Sequence, residues 1–320
     1  HIVPTHDPSY VKNIWGETWG INNDVGQIKK VLMKRPGKEI TNIINENDCT
    51  YEEKYGAWVH KEKKGYWMSP DRSLPDLERM QEQHDRLAQL LRNEGAEVVY
   101  IEPDDGEDAE LCKSVNVRDI INVTPGGAIL NRMAPAMRQG EERLALKTLA
   151  KIGMPINGSI IGNGIFEGGS FGFLKPGLAF AGHSKRGNLE GIRQLENILA
   201  TLDIELVTIP IVGHSLHTDS AFTMVDVDKA VLIPDRLPYW FLEKLEELGI
   251  KGIEVEQEER WAVNCLAVRP GKVIVAAEAV RALEAMDKAG LDVIPLDYSE
   301  VQKNGGGIHC TTNPLIREPI

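Results

Sequence analysis

One supersecondary unit recurs along this 320-residue chain: two short strands joined by a tight turn, then a helix, then a further strand. Hairpins run from Asn122 to Leu130 about Pro125-Gly126-Gly127, and from Phe171 to Ala181 about Lys175-Pro176-Gly177. Two more run from Phe222 to Ile233 about Val227-Asp228, and from Cys265 to Ala276 about Arg269-Pro270-Gly271. Helical periodicity follows each, at 139–151, 187–202, 238–248 and 278–289. A short apolar strand comes next, clearest at Ile204 to Ile209 and Leu291 to Leu296. An N-terminal unit adds a strand in Gln27 to Pro36, a helix opening at Ser73-Leu74-Pro75-Asp76 with Ser73 expected as its cap, and a strand from Glu97 to Ile101. Five such units, at a period of roughly 40–55 residues, point to a closed ring or an array and not to independent domains. The chain is therefore expected to be a single α/β domain over 1–320, with the strand ends of a ring gathered about one axis.

Two segments stand outside the repeat. Residues 1–25 carry Trp15 and Trp19 without a clear period and are expected to form a surface-hugging arm. Residues 38–72 are the least regular, with Tyr51, Tyr55, Trp58, Tyr66 and Trp67 set among Lys and Glu. They are expected to be either a packed surface loop or an aromatic flap over a site.

The net charge of −12 argues against nucleic acid or an anionic membrane surface as partner. The scattered Cys49, Cys112, Cys265 and Cys310 show no paired spacing, so reduced thiols in a cytoplasm are expected. No apolar run is long enough for a membrane span, and the first residues lack a signal pattern. A small-molecule substrate is the expected partner; homo-oligomerisation is left open.

Near the C-terminus, Gly305-Gly306-Gly307 allow close backbone approach ahead of His309 and Cys310. Cys310 is the expected nucleophile, since a thiol with a lowered pKa or a nearby base is the strongest one available. Other polar residues sit just ahead of the hairpins: Arg118-Asp119, Glu167-Gly168-Gly169-Ser170, and His217-Thr218-Asp219. His217 and Asp219 are two apart and would share one side of an extended strand. That suits an imidazole acid/base beside a carboxylate gripping a positive group. Thiol, imidazole and three carboxylates in a ring would suit a planar guanidinium. Each has a plainer reading: a surface pair at Arg118-Asp119, a loop at Glu167, a structural histidine at 217. His214, His217 and Asp219 also allow a metal reading.

Together, Arg118-Asp119, Glu167-Gly168-Gly169, His217-x-Asp219 and Gly307-x-His309-Cys310 resemble the guanidine-modifying (pentein) superfamily over roughly residues 25–320, in the family's order. The resemblance implies a five-bladed, pseudo-symmetric α/β propeller of ββαβ-type units. It implies a hydrolase that attacks a guanidine or amidine carbon and breaks a C–N bond through a covalent S-amidino intermediate, without cofactor or metal. By resemblance Cys310 is nucleophile, His217 general acid/base, Glu167 its acidic partner, and Asp119 and Asp219 face substrate nitrogens. Arg138 and Arg186 are carried over as substrate-binding, Arg138 by analogy with an arginine that binds substrate carboxylate.

Ser170 stands where the family usually has Asp after Glu-Gly-Gly, which makes the pocket less negative. It is counted with the substrate-binding residues. The departure leaves room for a neutral amidine-like ring such as 2-nitroimidazole. An amidinotransferase, a catalytically dead binding propeller and a metal hydrolase remain alternatives.

Overall fold

The computed structural model of the chain describes residues 2–42, 44, 47–102, 110–213 and 215–320. Five three-stranded sheets share one pattern, in which the middle strand pairs antiparallel on one side and parallel on the other. In four of them the hairpin supplies the antiparallel pair and the strand after the helix supplies the parallel one. These are Ile121–Thr124, Gly127–Leu130 and Ile156–Ser159; Phe171–Lys175, Leu178–His183 and Glu205–Pro210; Phe222–Asp226, Lys229–Leu232 and Lys251–Glu254; and Leu266–Arg269, Lys272–Ala276 and Asp292–Leu296. A right-handed helix between the second and third strands is what allows parallel return.

The N-terminal unit is completed from the other end of the chain. Ile28–Met33 pairs parallel with Glu97–Tyr100 and antiparallel with Asn313–Arg317. Pro314 lacks an N–H, and the strand holding it lies at a sheet edge where none is required on one side. The helix of this unit is Leu77–Asn93, capped by Asp76, whose side chain accepts from the Arg79 N–H at 3.2 Å. Asp76 therefore takes the place expected of Ser73, whose hydroxyl instead donates to Asp71.

Aromatic side chains help to fasten neighbouring sheets. Phe180, Phe222 and Phe241 stack edge-to-face with centroids 5.5 and 5.3 Å apart, each contact adding about 0.5–1.5 kcal/mol beyond its buried area.

Two segments differ from expectation. Residues 1–25 contain a helix, Pro8–Trp15, capped by Asp7 and ended by Gly16 at φ 80°. Among its residues only Val11 is buried, which is why no apolar period marks it. Residues 38–72 are not an irregular loop: they hold a short helix, Lys38–Thr41, and an antiparallel sheet of Cys49–Glu52, Ala57–His60 and Tyr66–Met68. Trp67 is fully buried there, while charged neighbours hide the alternation. No helix among the described residues is long and apolar enough to cross a membrane.

Candidate active site

Each of the five sheets begins with an edge strand, and a polar side chain stands two to four residues ahead of it: Asp119, Glu167, Asp219, Asn264 and Cys310. Hydrogen bonds link these segments in succession. Gly168 and Gly169 donate their N–H groups to the carbonyl and carboxylate of Asp119, both at 3.0 Å. His217 Nε2 meets Glu167 Oε2 at 2.7 Å. Asn264 Nδ2 donates to the Asp219 carbonyl at 3.3 Å, Cys310 N–H donates to Asn264 Oδ1 at 3.2 Å, and Arg118 N–H donates to the Cys310 carbonyl at 3.0 Å. The last bond returns to the segment that began the series. A Cβ on Gly169 would lie 2.9 Å from the His217 ring, so a glycine is needed where these segments meet.

Cys310, His217, Asp119, Asp219, Asn264, Arg138 and Arg186 all line one cavity of about 610 Å³. Cys310 is buried, with Sγ 3.1 Å from Asn264 Nδ2 and 3.4 Å from Asp219 Oδ2. Burial pushes its thiol well above the usual range, and the charges of Asp219 and Asp119 push it further; the Asn264 amide opposes them. The thiol is therefore neutral at neutral pH.

Burial pulls the His217 imidazolium down, but the Asp119 charge and the Glu167 hydrogen bond outweigh it and hold its pKa up at about 9. Glu167 is the converse: burial raises it, and His217, Arg138 and Arg186 bring it down to about 2. The two form a buried ion pair at neutral pH. For Asp219, burial is outweighed by the hydrogen bond from His309 Nδ1, 2.9 Å from Oδ2, and the carboxyl lies below its usual range. His309 is itself held neutral by burial and the nearby Arg118 charge, despite Asp219.

The two arginines are already engaged. Arg138 gives Nε and Nη2 to Glu141, at 2.8–3.1 Å, and Nη1 to Asp119 at 2.6 Å. Arg186 Nη1 lies 3.1 and 3.2 Å from the two Glu167 oxygens. Ser170 is not brought to the cavity; it is fully buried, and its hydroxyl has no hydrogen-bond partner. Asp119, Glu167 and His217 bring three ligand atoms within 4.8 Å of one another, a grouping able to hold a metal ion. The guanidinium groups of Arg138 and Arg186 already balance those carboxylates. His214 of the alternative metal reading lies outside the described residues.

Asn264 and Glu141 were not foreseen. Asn264 occupies in its unit the place that Asp119, Glu167 and Asp219 occupy in theirs, so aligning all five units would have found it. Glu141 reads in the sequence as an ordinary acidic residue in the first turn of a helix, and only the fold buries it.

The chain matches a family model described as N,N dimethylarginine dimethylhydrolase, eukaryotic, over residues 73–317. It is 27% identical over 304 residues to the uncharacterized protein YkgA of Bacillus subtilis, covering 92% of this chain and 94% of that one. It is 25% identical over 345 residues to a 2-nitroimidazole nitrohydrolase of a Mycobacterium species, covering 99% and 88%. Over 236 residues it is 27% identical to the dimethylarginine dimethylaminohydrolase of Pseudomonas aeruginosa, covering 74% and 88%. In structure it resembles the N-terminal domain of ArgZ, a cyanobacterial arginine dihydrolase solved with its product, at a TM-score of 0.73 and 22% identity, covering 92% and 99%.

Proposed function

The chain belongs to the N,N dimethylarginine dimethylhydrolase family, within the guanidine-modifying (pentein) superfamily, and from that premise we propose how its cavity carries out cysteine-dependent hydrolysis of a guanidino C–N bond. The single observation behind the reading is the meeting of Cys310, His217, Asp119 and Asp219 on one cavity, from segments far apart in sequence.

Asp119 and Asp219 grip the N–H groups of the substrate cation. Burial and two carboxylates hold the Cys310 thiol neutral; the substrate's positive charge offsets the carboxylates, and the thiol gives its proton to solvent water as the cation enters. The thiolate, steadied by the Asn264 amide, attacks the central carbon. His217, already an imidazolium beside Glu167, protonates the departing nitrogen, and an S-amidino intermediate remains. Neutral His217 then takes a proton from water, which adds to the same carbon; the C–S bond breaks and a ureido product leaves with the thiolate restored. The heterocycle and transferase alternatives use the same thiol, but paired carboxylates around it suit a cationic guanidino group better.

We also propose that the five sheets close a propeller and that residues 1–320 act as one catalytic unit. The cyclic series of hydrogen bonds between the five segments supports this. The aromatic sheet at 49–68 is proposed to cover one side of the cavity, because Tyr66 and Met68 form part of its wall. Incubation with arginine, methylated arginines, agmatine and 2-nitroimidazole, assayed for ureido product, ammonia, amine and nitrite, tests the reading. Nitrite release alone would replace guanidine hydrolysis with denitration.

A further inference from the structure

His217 is one member of a continuous ionic cluster beside the cavity. Arg138 Nη1 lies 2.6 Å from Asp119 and 3.7 Å from Glu167, and Arg186 Nη1 lies 3.1 Å from Glu167. His217 itself lies 2.7 Å from Glu167 and 3.7 Å from Asp119. The outermost member is Glu141, fully buried at the start of the helix Glu141–Ile152 and 2.8 Å from Arg138 Nη2. Glu141 does not line the cavity, and among the described residues it makes no ion pair with His217.

The charges decide what so remote a carboxylate does. Asp119, Glu141 and Glu167 face only Arg138 and Arg186, so one negative charge is left over, and the proton on His217 balances it. Without the Glu141 charge the remaining carboxylates and guanidinium groups cancel, and the imidazolium has nothing left to balance. Glu141 also aims the guanidinium: it takes Nε and Nη2 at 2.8–3.1 Å and leaves Nη1 for Asp119 Oδ2. The other Asp119 oxygen accepts from the Gly169 N–H at 3.0 Å and faces His217.

The surrounding groups leave this balance intact near pH 9, where His217 gives up its proton. Burial raises the Glu141 carboxyl to about 7, so it is ionised there. Burial lowers the neighbouring Lys113 ammonium to about 7, so it is mostly neutral there. The Cys112 and Cys310 thiols, both pushed up by burial, are neutral too. Asp219 faces His217 from outside the cluster and pairs with His309.

We propose that Glu141 is a positioning residue for His217, acting through Arg138: it supplies the negative charge that the His217 proton balances and holds the guanidinium against Asp119. Its part in turnover rests on the guanidino-hydrolase reading above.

The test follows the His217 ring by NMR in the intact protein, carrying ¹³C at histidine Cε1, with His217→Gln to assign the signal. Glu141→Gln should lower the His217 pKa by about one unit, and kcat/KM at pH 9 should fall about fivefold with it. Glu141→Asp keeps the charge and should stay within about half a unit of the parent. Arg138→Gln combined with Glu141→Gln removes one charge of each sign and should return the pKa to the parent value or above. Folding is checked by circular dichroism, and the double variant reads the charge balance even where Glu141→Gln alone does not fold. A His217 pKa unmoved in folded Glu141→Gln, or a folded double variant whose pKa falls below the parent value, overturns the proposal. These shifts in a protein that hydrolyses no guanidino compound contradict the hydrolase reading and leave the Glu141 assignment standing; normal hydrolysis with an unmoved His217 does the reverse.

Discussion

His217 Nε2 lies 2.7 Å from Glu167 Oε2, and Glu167 is wholly buried. The imidazole is thus charged at neutral pH and, in the mechanism proposed above, serves first as an acid. Glu167→Gln removes the Glu167 charge but leaves that of Asp119, so the His217 pKa should fall from about 9 without losing all of its elevation. The alkaline limb of the kcat/KM profile should move down with it, and turnover at pH 8 should drop by about 10²–10⁴-fold. A pH–rate profile of the variant that superimposes on the parent would contradict this.

The same pair fixes a stability window. His217 has a folded pKa of about 9, above its ordinary 6.5, so the folded state holds the proton more tightly. Its contribution is complete below pH 6.5 and is lost as pH rises through 9. Glu167 is depressed to about 2 from 4.5, so its contribution is present above 4.5 and is lost as pH falls toward 2. Thermal melting at pH 6.5 and pH 9 should show the His217 loss, and His217→Gln should flatten that difference.

Asn264 holds Cys310 at two points, Nδ2 to Sγ and Oδ1 to the backbone N–H. Asn264→Ala should lower kcat/KM by about 10²–10³-fold through loss of a fixed donor to the sulfur. Asn264→Asp places another anion beside the thiol and should slow its alkylation at pH 7 further. Alkylation rates across pH read this directly; unchanged rates in both variants would show that Asn264 does not act on the sulfur.

Arg138 is buried between Glu141 and Asp119. Arg138→Met takes the guanidinium away from Glu141 and Asp119, leaves the buried Glu141 unmatched, and should cost about 3–5 kcal/mol in urea unfolding. Adding Glu141→Leu removes one orphan charge and should recover part of that loss. A double variant as unstable as the sum of its singles would mean that the two side chains are not coupled.

The repeat was legible because every hairpin carries a Gly, Pro or Asp turn, and helical periodicity follows each at a steady spacing. Cys310, His217, Glu167, Asp119 and Asp219 were legible because each is a chemically marked residue beside a glycine or another polar group. What failed was long-range or masked. Asn313–Arg317 pairs with Ile28–Met33 across the whole chain, and a run that contains Pro carries a weak strand signal. Pro8–Trp15 buries one side chain and shows no stripe. The partners of Arg138 depend on the burial of Glu141, which no spacing announces. Ser170 drew notice as a departure from the resembled motif, but its side chain is fully buried and does not line the cavity.

The central claim is that Cys310 bonds covalently to the guanidino carbon. Acid-quench mass spectrometry during turnover of a guanidino substrate tests it most directly. An amidino adduct is expected on the peptide that contains Cys310, disappearing as substrate is exhausted and absent, along with turnover, in a folded Cys310→Ser protein. Full turnover by Cys310→Ser, or an adduct on any other residue, would contradict the account.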